Sequence, residues 1–158
     1  MMKATDIEIM SPVGSYESLM AAIQGGANSV YFGIGHLNMR SKSSKNFTLD
    51  DLKEISAIAQ KNNLRTYITL NTVIYDNELD EMKKIVDAAK KNHISAIIAS
   101  DQSVIQYASE VGMEVHMSTQ TNITNIAAVK FWSNFADVMV TARELNLNQV
   151  KEITQEIE

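Results

Sequence analysis

Two residues of this sequence could work as an acid–base pair, and a larger set could grip a charged ligand. His116 and Ser118 stand two apart in a run of β-favouring residues, so they share one face of a strand and put an imidazole near a hydroxyl. Neighbours at that spacing lie about 6.5–7 Å apart, long for direct proton transfer, which needs roughly 2.6–3.2 Å. Arg40 and Arg143 carry planar, permanently charged forks that suit a carboxylate or a phosphate, with Asp101 and Glu144 as competing acidic partners. Asn71, Gln120 and Asn122 add polar amides in short stretches that follow apolar runs.

Other constellations are missing from the sequence. There is no His-Glu-x-x-His, no Gly-x-Ser-x-Gly and no phosphate-binding P-loop. His36, His93 and His116 do not have metal-ligand spacing, so no metal site is expected. Gly33-Ile34-Gly35 is half of a dinucleotide fingerprint and leads into a polar loop. The chain has no cysteine, so it can supply neither a disulfide nor a thiolate to a metal or cluster.

The elements that must position these residues alternate in type. Six short runs rich in Val, Ile, Tyr or Met read as buried parallel strands: 7–10, 29–32, 66–71, 96–99, 114–118 and 137–141. Each is followed by a one-sided apolar stripe of helical period, such as Leu52, Ile55, Ile58 and Ala59, or Met82, Ile85, Val86 and Ala89. Asn77, Asp101, Asn122 and Asn146 stand where helix N-caps are wanted, and Thr48 with Asp51 approaches a capping box. Gly25-Gly26 and Gly112 stand where helices must stop, and Pro12 is expected just after the first strand.

Strand–helix alternation means an α/β fold with a parallel sheet. An open doubly wound sheet competes with a TIM-like (βα)₈ barrel, and six units are two short of the eight that barrel needs. Both architectures put the ligand site at the carboxyl ends of the strands. Alternation places Tyr67, Thr69 and Asn71 on one face of the third strand, His116, Ser118 and Gln120 on one face of the fifth, and Met139, Thr141 and Arg143 on one face of the sixth. Polar side chains at successive inward layers are costly unless satisfied, so they suggest a wet or liganded interior.

Composition narrows the function class. The 158 residues fit one domain, and 45% hydrophobic with 21% charged residues is ordinary for a globular protein. The net charge of −5 lacks the basic excess of a typical nucleic-acid binder. No apolar run is long enough to span a bilayer, and residues 1–6 have no signal-peptide core, so a cytoplasmic protein with no membrane partner is expected.

Several runs, in order along the chain, resemble peptidase family U-32. They are Ser11-Pro12-Val13-Gly14-Ser15-Tyr16-Glu17-Ser18, Gly25-Gly26-Ala27-Asn28-Ser29-Val30-Tyr31-Phe32-Gly33, Leu70-Asn71-Thr72, His116-Met117-Ser118-Thr119-Gln120 and Ala142-Arg143-Glu144-Leu145. The resemblance implies a barrel-like fold. It also implies kinship with collagenase-like peptidases and with proteins that hydroxylate nucleobases in tRNA or ribosomal RNA, or ubiquinone precursors without oxygen. The chain looks most similar to the tRNA wobble-uridine hydroxylation branch, which is linked to prephenate as a co-substrate. Members of that kind carry a cysteine-bound iron–sulfur cluster in a region after the sixth unit.

The expectation is therefore a single domain over residues 1–158: six of the eight units of an incomplete TIM-like barrel, from the N-terminal part of an enzyme resembling tRNA uridine hydroxylation proteins. A collagenase-like peptidase and a non-catalytic binding domain are the alternatives. His116 and Ser118 are the catalytic candidates. Arg40, Asn71, Asp101, Gln120, Asn122, Arg143 and Glu144 are the ligand candidates, with an arginine on a small anion. Prephenate and tRNA are expected partners of the longer protein, and open sheet edges predict homo-oligomers.

Overall fold

The computed structural model describes residues 7–39, 41 and 46–156. Its strands and helices alternate: β1 (Met10–Pro12), α1 (Tyr16–Gln24), β2 (Ser29–Gly33), α2 (Leu52–Lys61), β3 (Arg65–Leu70), α3 (Leu79–Lys91), β4 (Ala96–Ala99), α4 (Gln102–Glu110), β5 (Glu114–Met117), α5 (Ile126–Trp132), β6 (Val138–Met139) and α6 (Leu147–Glu156). Every strand pair is parallel and the spatial order is β1-β2-β3-β4-β5-β6. The six units thus follow one another around a half-barrel, as expected, with β1 and β6 left as edges.

Local chemistry explains most element boundaries. α1 opens on a capping box in which Ser15 Oγ accepts from Ser18 N–H at 3.3 Å and Ser18 Oγ accepts from Ser15 N–H at 3.0 Å. Asp101 Oδ1 accepts from Ser103 N–H at 2.9 Å to cap α4, and Asn146 with Gln149 forms a reciprocal pair before α6. Gly26 and Gly112 adopt φ of 81° and 72° just after α1 and α4, the left-handed turn that glycine takes without a Cβ clash.

Four expectations need correction. The first strand lies at Met10–Pro12 instead of 7–10, so Pro12 is inside it. Asn28 marks the boundary: its Oδ1 accepts from the Ile9 N–H at 2.8 Å, while the Ile9 carbonyl accepts from Asn28 and Ser29 N–H at 2.8 and 3.2 Å. Pro12 is tolerated because β1 is an edge strand. The sixth strand is only Val138–Met139, with Thr141 reduced to a single bridge to Ile123. Asn122 does not cap α5. It takes a left-handed φ of 49° at the end of a 3₁₀ turn over Thr119–Thr121, and Asn125 caps α5 by accepting from Ala128 N–H at 2.9 Å. Asn77 lies inside the 3₁₀ turn Asp76–Glu78 that precedes α3.

The two faces of the sheet differ in chemistry. Register aligns Phe32, Ile68, Ile97 and Val115 in one row, with Leu70, Ala99 and Met117 in the next. These side chains are buried with Leu19, Leu52, Ile55, Met82, Ile85 and Val104 of the helices. Burial of apolar surface at about 25 cal/mol per Å² makes this sheet–helix layer the main source of stability. The opposite, inward face carries Tyr31, Tyr67 and Glu114 in one row and Gly33, Thr69, Ile98 and His116 in the next. The hydrophobic core therefore lies outside the sheet, and the concave face mixes polar groups such as Thr69, Glu114 and His116 with apolar ones such as Ala96 and Ile98.

Candidate functional site

The concave face holds a cavity of about 440 Å³. Met10 and Tyr31 line it from β1 and β2, Thr69 from β3 and Ile98 from β4. Asn71, Ser118, Thr119, Gln120 and Arg143 line it from the segments that follow β3, β5 and β6, with Met39 and Val140. Four expected ligand or catalytic residues, Asn71, Ser118, Gln120 and Arg143, are thus brought together at the carboxyl ends of the strands, where α/β folds place their sites.

The polar groups of this cavity are held by specific partners. Met39 N–H donates to Asn71 Oδ1 at 3.2 Å. Ser100 Oγ donates to Gln120 Oε1 at 3.3 Å. Thr121 Oγ1 donates to the Ser118 carbonyl at 2.7 Å, closing the 3₁₀ turn that carries Gln120, and Thr69 Oγ1 donates to the Phe32 carbonyl at 3.1 Å. Arg143 is exposed at the rim, and no ion pair of its guanidinium stands among the described residues. A cavity edged by amide and guanidinium donors can hold the oxygens of a small anion.

The other candidates lie elsewhere. Arg40 is outside the described residues. The Asp101 carboxylate is occupied, accepting from Ser103 N–H and Oγ at 2.9 and 2.6 Å and from Ile74 N–H at 3.1 Å, so it caps α4 and anchors the loop after β3. Asn122 ends its turn, and Glu144 is exposed away from the cavity lining.

His116 belongs to a separate polar layer beneath the cavity. Its Nε2 lies 2.7 Å from Glu114 Oε1, and its ring packs on Tyr67 with centroids 4.7 Å apart. Arg65 Nη2 donates to the same Glu114 oxygen at 2.8 Å, and its Nη1 lies 3.6 Å from Glu8. Tyr67 Oη donates to Glu8 Oε1 at 2.5 Å. Burial pushes both carboxyls up. For Glu8 that push is outweighed by neighbouring Ser29 and Tyr67 hydroxyls and the Arg65 charge; for Glu114 it is outweighed by His116 and Arg65, and both carboxyls stay below the usual range. The Tyr67 hydroxyl is raised by burial and by Glu8. Glu8, Arg65 and Glu114 escaped sequence reading, because only tertiary contact unites them. The alternation that placed Tyr67 and His116 inward was their one visible signal.

A second, apolar groove of about 540 Å³ lies on the helical layer between α4 and α5, lined by Ile105, Phe131, Trp132 and Phe135 among others. Phe131 is 57% exposed, because its short helix presents it to this groove. No helix among the described residues is long and apolar enough to cross a membrane.

Similarity to known proteins agrees with this geometry. A Porphyromonas gingivalis protein named collagenase is 56% identical over 99% of this chain and 38% of its own length. The Bacillus subtilis tRNA hydroxylation protein P1 is 29% identical over 96% of this chain and 36% of its own. The chain thus spans well under half the length of these relatives. The solved structure of the U32 peptidase Mk0906 superposes with a TM-score of 0.75 at 13% identity, covering 96% of this chain and 65% of that one, which shows a shared fold. The family model described as Peptidase family U32 matches residues 14–158, and the chain belongs to that family.

Proposed function

We propose that this chain is the amino-terminal part of an RNA-hydroxylating protein of the U32 family, and that its cavity holds a small anionic co-substrate. The observation that carries the reading is Arg143 converging with Asn71, Ser118 and Gln120 on one cavity at the strand carboxyl ends. Arg143 supplies the charge, the amides orient the ligand oxygens, and Tyr31 and Ile98 give the cavity an apolar wall. Prephenate, an acidic compound, is compatible with that donor set. The tRNA would be met by the longer protein. A cluster needs thiolates, and this chain has no cysteine, so its residues do not fit one and no step here runs through it.

The second reading, peptide hydrolysis, follows the name of the 56% identical P. gingivalis relative. Ser118 would need a base within hydrogen-bond reach, whereas the His116 imidazole is paired to Glu114.

The test is mass spectrometry of tRNA nucleosides from cells lacking the full-length gene, complemented with wild type or with Arg143→Ala. Loss of a hydroxylated wobble uridine, restored by wild type and not by R143A, supports the proposal. An unchanged nucleoside profile together with cleavage of denatured collagen by the purified protein would replace it with the hydrolase reading.

A further inference from the structure

A buried amide, Asn38, packs the segment that follows β2 against the strand beside the cavity. Asn38 is 1% exposed, and its side chain occupies the space over Gly33, where an added Cβ would lie 2.4 Å from Asn38 Cγ. Only glycine leaves room for that approach. Asn38 Nδ2 donates to the Gly35 carbonyl at 3.2 Å, and its backbone N–H donates to the His36 carbonyl at 2.8 Å. The next residue, Met39, then directs its N–H at Asn71 Oδ1.

That last contact has a definite polarity. A backbone N–H can only donate, so the atom facing it must be the amide oxygen of Asn71. The remaining donor edge, Nδ2, is left for the cavity that Asn71 lines beside Arg143. A carboxylate offers only acceptors to such donors, whereas a carboxamide of the same shape puts its own N–H groups against them.

We propose that Asn38 is a positioning residue that acts through Met39 to fix the Asn71 amide with its N–H edge toward the cavity, so that the site selects carboxylates over isosteric carboxamides. The inference rests on the anion-site reading for its ligand, but not for the link between Asn38 and Asn71.

Two measurements on the full-length protein separate these parts. The first is amide hydrogen exchange, read by NMR on protein labelled with ¹⁵N-methionine and ¹⁵N-asparagine, without ligand. Met39 N–H should be protected in wild type and exchange about tenfold faster or more in Asn38→Ala. In Asn71→Ala it should also accelerate while Asn38 N–H keeps its protection, which a general loosening of the loop would not produce. Equal Met39 exchange in wild type and N71A, or no change in N38A, would overturn the positioning role. The second is calorimetric titration with malonate and malonamide. Malonate should bind about tenfold more tightly or better, and Asn71→Asp should abolish the preference. Equal binding of the two probes would overturn the selectivity. Binding of neither would remove the anion-site reading and the selectivity with it, leaving the exchange data to decide the positioning link.

Discussion

His116 Nε2 and Glu114 Oε1 lie 2.7 Å apart on one strand, two residues below Ser118 in the cavity wall. Ser118, on the same face, instead accepts a long hydrogen bond from Gln120 N–H at 3.5 Å. The histidine therefore secures the polar layer under the cavity. His116→Gln is expected to lower unfolding stability by about 1–2 kcal/mol, since it removes a buried ring from Tyr67 and weakens the pairing of the partly buried Glu114. Anion binding should change less than about threefold. Urea unfolding and calorimetry check the two; a large loss of binding with unchanged stability would return His116 to the site itself.

The lowered carboxyls of Glu8 and Glu114 predict an acid-sensitive fold. A group whose folded pKa lies below its unfolded value, near 4.5, adds stability above that value and loses it as pH falls through the folded one. Stability should thus decline as pH drops below about 4.5. Glu8→Gln should flatten that decline, as urea midpoints at a series of pH values will show. Identical acid limbs in wild type and E8Q would mean that Glu8 is not protected by its partners.

Arg143 is exposed at the rim and is not part of the core. Arg143→Ala should weaken malonate binding about tenfold or more, with the melting temperature unchanged within about 2 °C. Arg143→Lys should recover only part of the loss, because an ammonium keeps the charge but not the planar fork. Full recovery by lysine would reduce the role of Arg143 to charge alone.

Among the described residues the sheet ends at β1 and β6, and Val138 in β6 and Val140 just after it are 40% and 37% exposed. Unprotected edges pair with other strands. Sedimentation velocity of this chain should show self-association that Val138→Lys reduces; a monomer at all concentrations would refute it.

Much of the fold was legible because it is written in local periods. Helix stripes such as Ile55 with Ala59, and strand alternation such as Tyr67–Thr69–Asn71, need only a window of a few residues. Caps at Asp101 and Asn146 are equally local. The start of the first strand is not local in this way, because the Ile9 N–H goes to the side chain of Asn28, a residue distant in sequence. A helical stripe likewise cannot say which neighbouring helix covers it, and Phe131 on α5 stands 57% exposed.

The sequence by itself determined six strand–helix units and the inward face of Tyr67, Thr69 and His116, while Gln120 reaches the cavity from a 3₁₀ turn beyond β5. Only the tertiary structure decided that Arg143 joins Gln120 there, that Asp101 is consumed by a helix cap and that His116 answers to Glu114 and Tyr67. Side-chain alternation follows from the backbone geometry of each strand. Meetings between strands depend on register and on the curvature of the whole sheet, which no short stretch of sequence encodes.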